Sequence, residues 1–165
     1  MNVEISELTQ KIQKFMIENN LTVSTAESLT GGMLASAFVN NAGSSGFFNG
    51  GAVAYQDRIK NEVLYVPYDV LNDPERGAVS EDCARWMAEN ARRVFHSNWG
   101  LSTTGLAGPG GEPGKPVGLV YMGITNGSRS TVISHIFKGD RQTIREDVVL
   151  YILKQFCKEL GVNNA

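Results

Sequence analysis

The chain has 165 residues, 42% of them hydrophobic and 19% charged, with a formal net charge of −2 at pH 7. That length can bury a core without metal or disulfide support, and it is the size of one domain spanning residues 1–165. With 15 Lys and Arg against 17 Asp and Glu, and no run of five like charges, no nucleic-acid partner and no membrane partner is expected; a small anionic ligand is not excluded.

The start, MNVEISELTQK, carries acids and no long apolar run, so neither a signal peptide nor an anchor is expected, and the location implied is cytoplasmic. Ile5, Leu8, Ile12, Phe15 and Met16 recur at helical spacing, which predicts an amphipathic helix over 4–19. LTVSTA reads as a first strand, TGGMLASAFVN as a helix entered through Thr30-Gly31-Gly32, GAVAY as a second strand and DRIKNEVLYV as a helix. Pro67 and Pro74 bracket a short irregular stretch, and Ser80 followed by Glu81 and Asp82 opens the next helix. WGLSTTG is a third strand. The Gly/Pro-rich GLAGPGGEPGKPVG is a loop, and LVYMGIT and TVISHIF form a hairpin through Asn126-Gly127. GDRQTIREDVVLYILKQFCKEL closes the chain as a helix. Strands alternating with helices, plus one hairpin, predict a three-layer α/β/α sandwich on a mixed, mostly parallel sheet. The two cysteines, Cys83 and Cys157, fall in apolar helical patterns and read as buried thiols of a reduced compartment.

Four segments bring small or polar residues to strand ends: AESLTGG, AGSSG, TGLAGPGG and GDR. Ligands in open α/β sheets bind beyond the carboxyl ends of the strands, so a site shared by all four is an expectation. Thr30-Gly31-Gly32 opens a helix whose free N–H groups suit an anion, although an ordinary strand–helix turn, a common loop, is the favoured reading of this motif alone. Arg141 and Arg145 share a helix face and suit a phosphate or carboxylate, with surface pairing to Glu146 and Asp147 as the alternative. Neither His96 nor His135 lies in a triad-like motif, and GxSxG is absent, so a serine nucleophile here would need a lysine or tyrosine base. Tyr55 and Lys60 lie just beyond Ser44 and Ser45. Glu27 is either catalytic or a helix cap. There is no HExxH, no DxD cluster and no His/Cys grouping to argue for a metal.

The same segments resemble a known family. AESLTGG is similar to its TAESCTGG signature, AGSSGFFNGGAVAYQDRIK to its GSS…G.V.YSN..K segment, and RGAVSE to its GAVSE. TGLAGPGGEPGKPVG is similar to its GIAGP.GG...KPVG, and FKGDRQTIRE to its F.GDR..(I/V)R segment. These five ordered motifs, spanning Thr25 to Arg145, resemble the CinA C-terminal domain family, whose stand-alone bacterial members are nicotinamide-nucleotide amidases. The resemblance implies a three-layer α/β fold with a mixed sheet. It also implies hydrolysis of the carboxamide of nicotinamide mononucleotide to nicotinate mononucleotide and ammonia, with no metal or organic cofactor. Larger members carry an extra amino-terminal domain, and this chain begins directly at the amidase-type region.

Carried over position by position, the resemblance makes Ser45 the nucleophile, with Tyr55 and Lys60 as proton acceptor and tuning group. Ser28 and Thr30, with Gly31, Gly32 and Ser44, would line the substrate site. Thr104 and Gly105 begin the loop whose N–H groups, or those near Ser45, could hold the oxyanion. Arg141 and Arg145 would meet the phosphate. The family's usual cysteine is Leu29 here, which favours serine chemistry; Gln56, Asp57, Ile59 and Tyr65 also depart from the pattern. The competing expectations are a non-catalytic nucleotide-binding module on the same fold and an amidase for another small amide. A homo-oligomer is left open.

Overall fold

A computed structural model describes residues 2–162. The elements run α1 (Val3–Glu18), β1 (Val23–Glu27), α2 (Met33–Val39), a 3-10 turn (Ser44–Gly46), β2 (Phe48–Val53), α3 (Asp57–Leu64), α4 (Tyr68–Leu71), α5 (Glu81–Val94), β3 (Trp99–Gly105), β4 (Leu119–Thr125), β5 (Ser130–Ile136) and α6 (Arg141–Leu160). The strand order is β2-β1-β3-β4-β5. β1 pairs in parallel with both β2 and β3, while β4 is antiparallel to β3 and to β5. The sheet is therefore mixed, with only β4 reversed, and the predicted hairpin joins β4 to β5.

Helices cover both faces. α1, α2 and α6 bury Ile12, Met16, Phe38, Val148, Ile152 and Phe156 against the apolar side chains of one face. On the other face Leu64, Val70, Cys83, Met87 and Ala91 pack over Ala26 and Ala54. α5 lies almost on the backbone of the central strands. A Cβ at Gly100 would stand 2.0 Å from the Ala88 carbonyl oxygen, and Ser102 Oγ donates to the Ala84 carbonyl oxygen at 2.6 Å. Only glycine admits that approach. The helix periodicities are those read from the sequence: Ile5, Leu8, Ile12 and Met16 are the buried apolar positions of α1, and Asn2 caps it by accepting from the N–H of Glu4 at 2.8 Å.

Three local expectations are corrected. The second strand is Phe48–Val53 and not 51–55, because its register pairs Phe48 with Val23; Tyr55 stands beyond the strand. The first helical turn expected at Thr30 is delayed to Met33, since Gly31 and Gly32 have φ of +59° and +98°. The stretch between the two prolines contains a one-turn helix, α4, which buries Val70 and Leu71. Among the described residues no helix is long and apolar enough to cross a membrane.

The Gly31-Gly32 entry leaves α2 without a side-chain cap from its own N-cap residue. Glu27, at the end of β1, supplies it instead. One carboxylate oxygen accepts from Leu34 N–H at 2.8 Å and from Thr30 Oγ1 at 2.6 Å, and the other accepts from Ala35 N–H at 3.0 Å. Of the two roles open to Glu27, this geometry assigns the cap. Because Glu27 is only 1% exposed, Glu27→Ala would strand those donors. The expected loss is about 2–3 kcal/mol, read as a fall of about 5–10 °C in the melting temperature.

Candidate active site

β1, β2 and β3 run the same way, so the residues that follow them meet at one end of the sheet. β4 starts and β5 finishes at that end too, which brings in the loop after β3 and the first residue of α6. The result is a cleft of about 490 Å³. Ser28, Tyr55 and Lys60 lie on one side of it, Thr104, Gly105 and the Gly/Pro-rich loop on another, and Arg141 at the rim.

Its centre is a serine–lysine pair. Ser28, one residue beyond β1, is 8% exposed, and its Oγ stands 3.1 Å from Lys60 Nζ. Lys60 comes from the inward face of α3, whose outer face carries the Arg58–Glu62 ion pair at 3.0 Å. The lysine is 2% exposed and also donates to the Tyr55 carbonyl oxygen at 2.9 Å. Burial holds its pKa below the usual lysine value, against the opposing effects of Cys83 and Asp57. A lysine so placed gives up its proton more readily, and as a neutral amine it can accept one from the serine.

The remaining predicted residues separate into groups. Thr104 is 1% exposed and donates to the Ala78 carbonyl oxygen at 2.7 Å, and Gly105 lines the cleft beside it. Arg141 donates to the Gly108 carbonyl oxygen at 2.6 Å and to Tyr55 Oη at 2.9 Å, so one guanidinium bridges two walls of the cleft. Thr30 is fully buried beneath the site, bonded to Glu27 and to Thr103 Oγ1 at 2.8 Å. Gly31 and Gly32 shape the turn behind Ser28 and are absent from the cleft lining. Arg145 is also absent from it. Its Nε donates to the Leu29 carbonyl oxygen at 2.8 Å and an Nη donates to the Thr30 carbonyl oxygen at 3.1 Å, so it clamps the turn that carries Ser28.

Ser44 and Ser45 are not brought to the cleft. They form the 3-10 turn ahead of β2, and a parallel partner of β1 puts its preceding residues at the amino end of the sheet. Ser28 follows β1 and lies at the carboxyl end. Six residues of strand separate the two ends, about 20 Å at ~3.3 Å per residue. The small residues of AGSSG instead fit a tight turn against α1: a Cβ at Gly46 would meet Ile17 at 3.2 Å, and one at Gly43 would meet Gln13 at 3.3 Å. Ser45, expected as the nucleophile, thus stands apart from the cleft, while Ser28, expected only as a lining residue, stands beside Lys60. The available signal was a serine one residue past a buried strand with a lysine on the helix after the neighbouring strand.

Other nucleophiles fit less well. Cys83 and Cys157 are buried as expected, and burial pushes their thiols up to about 12 and about 11. His135 stacks on Tyr151 at 4.9 Å between centroids. Among the described residues no group of three or more His, Cys, Asp or Glu is gathered to hold a metal ion.

The comparisons with known proteins agree with this architecture. The family described as CinA C-terminal domain matches residues 5–160. A CinA-like protein of a Sulfurihydrogenibium species is 42% identical over 155 residues, which are 93% of this chain and 37% of that protein. A competence-damage inducible protein of Clostridium perfringens is 43% identical over 154 residues, again 93% of this chain and 37% of the other. The chain thus spans little more than a third of the length of these curated relatives. Among solved structures, a competence damage-inducible protein A of Klebsiella pneumoniae superposes with a TM-score of 0.91 at 31% identity, covering 95% of this chain and 97% of that one. One named competence/damage inducible protein from Agrobacterium tumefaciens gives a TM-score of 0.87 at 35% identity, with 96% of each chain covered. The chain belongs to the CinA C-terminal domain family.

Proposed function

We propose that the chain is an amidohydrolase that deamidates nicotinamide mononucleotide to nicotinate mononucleotide and ammonia, with Ser28 as nucleophile and Lys60 as its base. The observation that carries the reading is the 3.1 Å contact between a cleft serine and a buried lysine. A pure binding module has no need of a desolvated lysine aimed at a hydroxyl. The choice of nucleotide rests on the sequence motifs and on Arg141 at the rim.

In this account neutral Lys60 takes the Ser28 Oγ proton as Oγ attacks the carboxamide carbon. Backbone amides of the loops bordering Ser28 stabilise the oxyanion. The tetrahedral adduct collapses with cleavage of the C–N bond, and Lys60 returns the proton to the departing ammonia. Water then attacks the Ser28 ester with Lys60 again accepting the proton, releasing the carboxylate and restoring the hydroxyl. Arg141 leaves its bonds to Gly108 and Tyr55 to hold the phosphate.

The test is ammonia release from nicotinamide mononucleotide by the purified protein, with a chelator control and with nicotinamide riboside and free nicotinamide alongside. Release from the mononucleotide, retained with chelator, is expected. A thermal shift without any release would turn the cleft into a binding site. For Arg141→Ala the expected result is a rise of about tenfold or more in KM for the mononucleotide, with little change for the riboside. An equal effect on both substrates would remove Arg141 from the phosphate.

A further inference from the structure

The motif KPVG, part of the Gly/Pro-rich loop, has no role in the chemistry above, yet its lysine makes contacts unlike those of a surface lysine. Residues 106–118 connect β3 to β4 and supply one wall of the cleft, with Leu106 to Gly110 and Glu112 facing in. Residues 76–79, between α4 and α5, supply the wall beside it through Ala78 and Val79. Loops that meet only through exposed backbone would have no fixed spacing.

Lys115 joins them. Its ammonium donates to the Val79 carbonyl oxygen at 2.7 Å and also to the Arg76 carbonyl oxygen. The chain turns back at this point: Glu112 N–H donates to the Lys115 carbonyl oxygen at 3.2 Å, and Lys115 N–H returns the bond to the Glu112 carbonyl oxygen at 2.9 Å. Pro113 and Gly114, the latter at φ +78°, are the residue types such a turn selects. The turn thus carries Glu112 into the cleft and Lys115 into the opposite loop. That loop is braced from its far side. Thr104 holds the Ala78 carbonyl oxygen, Ser80 Oγ donates to the Gly77 carbonyl oxygen at 2.8 Å, and Arg76 pairs with Asp73 at 3.2 Å and Asp82 at 2.8 Å. One end of the Lys115 contact is therefore rigid and the other end is the tip of a glycine-rich flap. A second hollow of about 350 Å³ adjoins the cleft, sharing Asp57, Ala78 and Glu112 with it, and Lys115 lines this second hollow but not the cleft.

We propose that Lys115 is a positioning residue: it latches the 106–118 flap to the 76–79 loop and so sets the wall of the cleft that substrate must fit. The lysine touches neither Ser28 nor Lys60, so it acts on how tightly substrate is held and not on the bond-making step. The kinetic half of this inference rests on the amidase reading; the latch itself does not.

The two are tested separately. Amide hydrogen exchange on ligand-free wild type, Lys115→Met and Lys115→Arg reads the latch without any substrate. Lys115→Met should speed exchange about tenfold or more in 106–112 and 76–79 while leaving the core of β1 and β3 unchanged, and Lys115→Arg should restore part of the protection. Unchanged exchange in both loops would overturn the latch, and so would faster exchange throughout the protein, since that describes a general stability residue. With nicotinamide mononucleotide, Lys115→Met should raise KM about tenfold with kcat within about threefold of wild type. A fall in kcat at unchanged KM would overturn the positioning role. If the wild type releases no ammonia, the amidase reading fails while the exchange result still decides the latch, and ligand-induced thermal shifts replace KM.

Discussion

Ser28→Ala is expected to reduce ammonia release from nicotinamide mononucleotide by about 10³-fold or more, whereas Ser45→Ala should stay within about twofold of wild type. The contrast follows from the direction of two strands. Ser28 follows β1 and Ser45 precedes its parallel neighbour β2, so they occupy opposite ends of the sheet. Ser28 has the Lys60 ammonium nitrogen at 3.1 Å, whereas Ser45 is an exposed residue of a turn that packs toward α1. The mutant should remain folded, because removing one hydroxyl from a solvent-accessible cleft leaves the Glu27 cap and the Arg145 clamp in place. Mononucleotide binding, read as a thermal shift, should therefore survive in Ser28→Ala. A Ser45→Ala enzyme as impaired as Ser28→Ala would contradict the assignment.

Lys60 carries the second large effect. Lys60→Arg, which keeps the charge but cannot lose its proton near neutral pH, should lower kcat/KM by about 10²–10⁴-fold. Burial lowers the Lys60 pKa from 10.5, so kcat/KM of the wild type should rise with pH through that lowered value and then level off below 10.5. Asp57, at the start of the same helix, raises the lysine pKa by its charge. Asp57→Asn should therefore move the rising limb to lower pH, and a shift to higher pH would contradict the account. The same group leaves a mark on stability. Between the lowered folded pKa and 10.5 the unfolded chain binds more protons than the folded one, so the Lys60 contribution to stability increases with pH across that window. Lys60→Met should remove this slope, as measured by denaturation at several pH values.

Periodicity and turn chemistry made most of the fold legible. The apolar spacing of α1 and α6 and the unbroken apolar or small runs of β3 and β4 were enough to place those elements, and Asn126-Gly127 placed the hairpin. The edge strand was harder. Asn49, Gly50 and Gly51 dilute the β signal of β2, and only pairing with Val23 reveals that it begins at Phe48. The site was legible as a set of loops but not as a constellation. Sequence order set Ser45 close to Tyr55 and Lys60, and β2 runs between them; it set Ser28 32 positions from Lys60, and the parallel pairing closes that gap. The contacts of Arg145 were hidden because its partners are backbone carbonyls of a distant turn, which carry no residue-type signal. The contacts of Lys115 were hidden for the same reason.

The claim at the centre is that Ser28 becomes covalently acylated. Rapid acid quenching during turnover of nicotinamide mononucleotide, followed by proteolysis and peptide mass spectrometry, reads it directly. The account predicts a nicotinate mononucleotide ester on the peptide containing Ser28, absent in Ser28→Ala and enriched when the rate of hydrolysis is slowed. An ester on the Ser45 peptide, or full turnover by Ser28→Ala, would contradict it.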